Sequence, residues 1–309
     1  MPKCAIVSAF YYIENSGFTY SDIPIFVDKI NSTDDNINFC STDMLTKPLD
    51  EINTRLIDRQ SLSLEAALKI AEDGGFFDNL NKSELSIIAG SYSSSVYPSA
   101  AFNLSIQEKG ANFVNATEFT NTVGNAAVSR ACIWNQFRGE AHAISEGVNS
   151  GLDAVIDAYN DIKYGNTNDI LACTSEEIGS AAVLIQNGNL KNLKNKPIAY
   201  IKNCDSTYFK DYAELLDYFN SIEDRFNINF SNTCIYLSGD FDKITELSKT
   251  KNLEFKKIIN KNLWSLAPLI NIGRCLYDYK SGTENKNSLI FSVDEKGFAS
   301  SALITKGGD

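Results

Sequence analysis

The feature that most constrains this chain is an alternation of short apolar runs with amphipathic stretches that is broken once by a polar segment and then starts again. Residues 4–10, 85–91, 141–145, 170–175 and 181–186 have the length and apolar content of buried strands. Between them, residues 61–73 place Leu62, Leu64, Ala67, Leu68, Ile70 and Ala71 near helical spacing, with Gly74-Gly75 as a stop. A second helix opens at Asn149-Ser150, carries Leu152, Val155, Ile156, Tyr159 and Ile162 on one face, and ends at Tyr164-Gly165. The segment 187–197 is polar and contains Gly188 and Pro197, which marks a break. Beyond it the order recurs in shortened form: strand 198–202, helix 209–226, strand 234–237, helix 242–249, strand 255–259, helix 263–279, strands 288–293 and 299–305. Strand–helix alternation on both sides predicts a layered α/β architecture in two halves, residues 1–190 and 191–309.

A chain of 309 residues with 43% apolar and 22% charged side chains can bury a sizeable core. It contains no apolar run of about 18 residues, the length that a membrane helix needs. The first ten residues, Met1 to Phe10, make a poor signal peptide, and a cytoplasmic location is expected. The seven cysteines are scattered, odd in number and never spaced as CxxC, so reduced core thiols are expected rather than disulfides or a zinc site. No metal or cofactor is implied. The net charge of −11 is uneven: residues 191–309 hold 17 basic and 15 acidic side chains, which leaves −13 on residues 1–190. Such a surface repels nucleic acid and anionic lipid. It also repels an acidic protein, so a more basic partner would supply any contact with one.

Residues 85–177 carry a specific pattern. Ile87-Ile88-Ala89-Gly90-Ser91 is a Gly-terminated strand followed by a loop and helix. Phe119-Thr120-Asn121-Thr122-Val123-Gly124-Asn125-Ala126-Ala127 leads into a buried helix, and Phe137-Arg138-Gly139 precedes strand 141–145. That strand runs into Glu146-Gly147-Val148-Asn149-Ser150-Gly151-Leu152, and the next strand ends in Ala172-Cys173-Thr174-Ser175-Glu176-Glu177. This run resembles the amino-terminal half of a β-ketoacyl synthase. Ile57-Asp58-Arg59 is similar to the family's Met-Asp-Arg ahead of a helix, and Gly297 stands at its terminal Gly-Gly turn. The resemblance implies the thiolase fold, two similar α/β halves in five layers (αβαβα) working as a dimer, here with the second half shortened.

The family's chemistry places a cysteine thiolate at the amino end of a buried helix, where the helix dipole and backbone N–H groups stabilise the thiolate and the later oxyanion. Aligning Gly147–Leu152 with the family's Ala-Cys-Ser-Ser-Gly-Leu puts Val148 at the nucleophile position. The family's two histidines would fall near 237–240 and 262–265, yet the chain's single histidine is His142. The terminal Gly-Phe-Gly-Gly turn reads Asp294-Glu295-Lys296-Gly297. These losses imply a non-catalytic, chain-length-factor-like subunit that pairs with an active ketosynthase and meets the acyl carrier protein, itself acidic, only through that partner; by charge, neither nucleic acid nor membrane is an expected partner. The resemblance also places His142, Ala143, Ile144 and Ser145 at the dimer two-fold, and Phe119, Asn121 and Asn125 beside the pocket or the dimer contact. Two other readings stay open here. The segment around Thr120–Thr122 is equally a capped helix start, and a relocated nucleophile at Ser145, Ser150 or Cys173 would make the chain an acyltransferase or hydrolase.

Overall fold

The computed structural model describes residues 3–13, 57–73, 77–78, 80–189, 197–251, 253, 255–257, 263–282 and 285–307. Gly74-Gly75, Cys40, Asn262 and the proposed boundary at 190/191 lie outside the described residues. The first half runs β1 (Cys4–Ile13), α1 (Arg59–Asp73), β2 (Ser86–Gly90), α2 (Val96–Lys109), a short α3 (Ala116–Phe119), α4 (Ala126–Asn135), β3 (Ala141–Ile144), α5 (Ser150–Tyr164), β4 (Asp169–Thr174) and β5 (Gly179–Asn187). The second runs β6 (Ala199–Tyr208), α6 (Tyr212–Phe226), β7 (Thr233–Gly239), α7 (Phe241–Lys251), β8 (Phe255–Lys257), α8 (Leu266–Lys280), β9 (Asn287–Val293) and β10 (Phe298–Lys306).

Local chemistry sets several boundaries a little away from the apolar periodicity. Helix α1 starts at Arg59 because Asp58 accepts the Ser61 N–H at 2.9 Å and the Ser61 hydroxyl at 2.7 Å. Helix α6 begins at Tyr212 rather than 209, since Asp211 accepts the Glu214 N–H at 3.0 Å while Glu214 accepts the Lys210 N–H at 2.8 Å. Helix α8 begins after Trp264, whose φ of +40° is left-handed and cannot continue a right-handed turn. Strand β6 outruns its apolar stretch because β10 pairs along it from Lys306↔Ala199 to Phe298↔Tyr208.

The strands order as β3-β2-β4-β5-β1-β6-β10-β9-β7-β8. Read outward from the centre, each half has the same pattern: an antiparallel pair, a second antiparallel pair, then two parallel pairs (β1·β5, β5·β4, β4·β2, β2·β3 against β6·β10, β10·β9, β9·β7, β7·β8). The halves join through three antiparallel residue pairs, Cys4↔Ile201, Ala5↔Tyr200 and Ile6↔Ala199. Three separate cores follow from strand alternation. One face of β2, β4 and β5 packs on α1 and α4 through Ile87, Leu171 and Leu184. The opposite face, with Ile88, Ile170 and Val183, packs on α5 and α8, which also meet Tyr236, Ile290 and Ala302 of the second half. Leu237, Phe291 and Leu303 turn outward onto α6 and α7. The result is the five-layered α/β architecture that the resemblance implied, with α5 and α8 packed between the two halves of one continuous ten-stranded sheet. The second half is shorter through its connections: β2 and β3 are joined by α2, α3 and α4, but β7 and β8, among the described residues, by α7 alone. Among the described residues no helix is long and apolar enough to cross a membrane.

Candidate functional site

The chain leaves β3 at Ile144, turns through Ser145 and Glu146, and enters α5 by a 3-10 turn spanning Gly147–Asn149. Gly147 has φ of +83°, and a side chain there would also place its Cβ 2.2 Å from the Asp294 carboxylate. Ser150 closes the turn: its hydroxyl accepts the Glu146 N–H at 2.7 Å and lies 2.8 and 3.1 Å from the carbonyl oxygens of Gly147 and Ser91. Gly151 lets α5 meet the start of α8, since a Cβ there would be 2.1 Å from the Ser265 carbonyl oxygen. These contacts bring Val148, at the amino end of a central helix, to the C-terminal ends of the strands.

Val148 lines a cavity of about 310 Å³ together with Tyr92, Gly239, Asp240, Asp242, Trp264 and Glu295. The rings of Tyr92 and Trp264 stack with centroids 5.5 Å apart, and the Tyr92 hydroxyl donates to Glu295 Oε1 at 3.1 Å. Behind this wall sits Glu176, wholly buried, accepting from the Tyr92 N–H at 2.6 Å and from the Ser265 hydroxyl. Burial pushes its carboxyl up to about 7, against the lowering effect of those two donors, and its Oε2 has no partner among the described residues. The turn between β9 and β10 closes the other side. There Asp294, fully buried, accepts the Val148 N–H at 3.1 Å through Oδ2 and the Lys296 N–H through Oδ1. Lys243 Nζ ties the turn down, donating to the carbonyl oxygens of Asp294 and Glu295 at 3.0 Å each and pairing with Asp240 at 3.1 Å. The cavity thus carries carboxylates and aromatic faces. Among the described residues, none that lines it is a cysteine, histidine or serine.

The other sequence candidates fall elsewhere. His142, Ala143 and Ile144 lie on β3, an edge strand paired only with β2 among the described residues. Ala143 and Ser145 are exposed, Ile144 packs against the middle layer, and His142 Nε2 sits 3.5 Å from Asp157 on α5. Phe119 is exposed and packs on Phe102 at 5.6 Å. Asn121 accepts from Arg130, which also reaches Asp58, Ser61 and Thr120, so this side chain anchors its turn to the start of α1. Asn121 also lines a second cavity of about 460 Å³ with Asp58, Tyr97, Phe102 and Glu177. Asn125 occupies the N-cap position of α4 but its side chain makes no capping bond, and the hydroxyls of Thr120 and Thr122 donate to Thr117 and Phe119 carbonyls. Those threonines therefore close local turns and do not cap α4. Cys173 points into the outer core, where burial pushes its thiol up and Ile88 accepts its S–H.

In the sequence Glu176 stands only in the Glu176-Glu177 pair that ends the family-like run, where solvated carboxylates are expected; the fold buries Glu176 instead. Neither Lys243 nor Tyr92 stands at a chemically distinctive spacing. Asp294 was visible only as a charged residue in a turn.

The family model described as the N-terminal domain of β-ketoacyl synthase matches residues 29–207, more than half of the chain. No curated protein sequence matches. Among solved structures, the ishigamide ketosynthase/chain length factor superposes with a TM-score of 0.80 at 13% identity, over 99% of this chain and 100% of that one. A β-ketoacyl synthase from Burkholderia phymatum STM815 gives 0.74 at 12% identity, over 99% and 100%. A type II polyketide synthase ketosynthase in complex with its acyl carrier protein, AntDE:AntF, gives 0.72 at 13% identity, over 99% and 100%. At such identities the likeness establishes a shared fold.

Proposed function

This chain belongs to the β-ketoacyl synthase family, and from that premise we propose that it is a non-catalytic, chain-length-factor-like subunit. It pairs with an active ketosynthase and shapes the tunnel that holds the growing acyl chain in polyketide, polyene or fatty-acid-like biosynthesis. One observation carries the reading. Val148, Gly239, Asp240, Trp264 and Glu295, which stand at or beside the family's catalytic positions in the sequence, line one cavity, and among the described residues that line it there is neither thiol nor imidazole. Acyl transfer needs a nucleophile and decarboxylation needs donors for the departing charge; carboxylates at the mouth oppose both.

The pairing surface in this reading is the free edge of β3, with His142, Ala143, Ile144 and Ser145, together with the neighbouring helical segments. Helix α2 has no buried residue, and Val96, Leu104, Phe113, Phe119 and Ile133 are exposed around it. The acidic first half leaves carrier docking to the partner. The two halves, residues 1–190 and 191–309, divide the chain as the repeated strand order suggests, and the unpaired cysteines among the described residues suit a reducing cytoplasm.

Co-expression with the ketosynthase encoded nearest to it tests the assignment. The expected outcome is a one-to-one complex by mass whose condensing activity disappears when the partner's cysteine is replaced. Two chains that purify apart, or turnover of an acyl thioester by this chain alone, would overturn it.

A further inference from the structure

Loss of the cysteine is not the only change at the amino end of α5. The Val148 N–H, the donor best placed to receive a developing oxyanion if residue 148 were the nucleophile, is already bonded to Asp294 Oδ2 at 3.1 Å. The carboxylate is fully buried and lies against the turn itself, since a Cβ on Gly147 would meet Oδ2 at 2.2 Å and Cγ at 3.2 Å. Its other oxygen is held by the Lys296 N–H, and Lys243 fixes the backbone of its turn. The site therefore holds an anion covalently built into the chain, seated where free N–H groups and the positive end of a 15-residue helix favour negative charge.

We infer that Asp294 is an internal plug of the oxyanion position: it consumes the anion-stabilising capacity of the α5 amino terminus, so that restoring a cysteine at residue 148 does not by itself restore a reactive thiolate. The inference rests on the non-catalytic reading and extends it from a missing nucleophile to a site dismantled twice. A thiolate formed at residue 148 meets a fixed carboxylate at its own backbone amide instead of an open donor, and like charges at that range raise a thiol's pKa. The other charged groups facing this corner are Glu146 from the β3–α5 turn, Asp153 from α5, Asp240 from the β7–α7 junction, Asp242 and Lys243 from α7, and Glu295 and Lys296 from the same turn.

The test is the pH dependence of iodoacetamide alkylation, in which the thiolate displaces iodide and forms a C–S bond. It is measured on Val148→Cys, with the parent chain as blank for its own cysteines. The introduced thiol alone is expected to titrate no lower than a free cysteine, near 8.5. Adding Asp294→Asn, which keeps the shape and removes the charge, is expected to lower that value by at least about one unit, roughly tenfold more thiolate at pH 7. Adding Asp217→Asn, an equal charge change on the exposed face of α6, is expected to leave the rate at pH 7 within about twofold. A strongly depressed thiol pKa in Val148→Cys alone, or no response to Asp294→Asn, would overturn the inference. If the double variant does not fold, the crystal structure of Val148→Cys decides, by whether the carboxylate still bonds the residue 148 amide or leaves it open. None of these readouts involves a partner, so a failure of the chain to pair with a ketosynthase would sink the assembly assignment while leaving the plug intact.

Discussion

Glu176 illustrates how one residue can do several things that its place in the sequence does not announce. Its carbonyl oxygen accepts the Ser63 hydroxyl at 2.6 Å, and its carboxylate gathers the Tyr92 amide and the Ser265 hydroxyl, joining α1, the loop after β2 and the start of α8. Burial raises its carboxyl from 4.5 to about 7, and burial likewise raises Glu65 and Asp153 to about 7. The sign of the linkage follows from which state binds more protons. Between the unfolded values and about 7 the folded chain holds protons that the unfolded chain has released, so stability is fully present at low pH and falls as pH rises through 7. For Glu176 the difference is on the order of 3 kcal/mol. Glu176→Gln removes the titrating group and keeps an acceptor for both donors. Thermal melts at pH 5 and pH 8 are expected to show a smaller drop in the variant than in the parent, and an unchanged drop would refute this assignment.

At the scale of elements, the middle layer depends on two helices approaching closely at their amino ends. Gly151 on α5 faces the carbonyl oxygen of Ser265, which precedes α8, and the nearby Thr174 and Leu269 leave no room either, at 2.8 and 3.0 Å from where a Cβ would stand. Because the nearest atom is backbone, relief requires α5 and α8 to separate, and both contribute fully buried residues such as Leu152, Val155, Leu266 and Ile270 to one core. Gly151→Ala is therefore expected to cost about 1–3 kcal/mol, read as a lower urea midpoint with an unchanged slope. The same approach explains why the helix after β3 begins where it does. Ser150 closes the turn with Glu146, Gly147 and Ser91, and its partners there are backbone groups and not a base.

For the molecule as a whole, the unpaired edge of β3 and the apolar surface of α2 to α4 are the exposed features that a partner subunit would cover. Ala143→Glu puts a charge on that edge without touching any core, a device that blocks edge-to-edge pairing. It is expected to abolish co-purification with the ketosynthase while shifting the stability of the chain alone by no more than about 0.5 kcal/mol; retained pairing would move the interface elsewhere. The elements, the layered α/β class and the family pattern around Val148 were legible in the sequence, because hydrophobic period, capping residues and glycine stops act over a few neighbouring residues. So was the absence of a cysteine at Val148 and of any histidine beyond His142. Strand order, the joining of the two halves through β1 and β6, and the meeting of Val148 with Gly239, Trp264 and Glu295 required the folded chain, since these residues are far apart in sequence and are brought together only by packing around α5 and α8. Whether a charge is solvated or buried is likewise a tertiary property. Asp294 reads in sequence as one more acidic turn residue, and only the fold turns it inward onto a helix amide where its charge bears on chemistry.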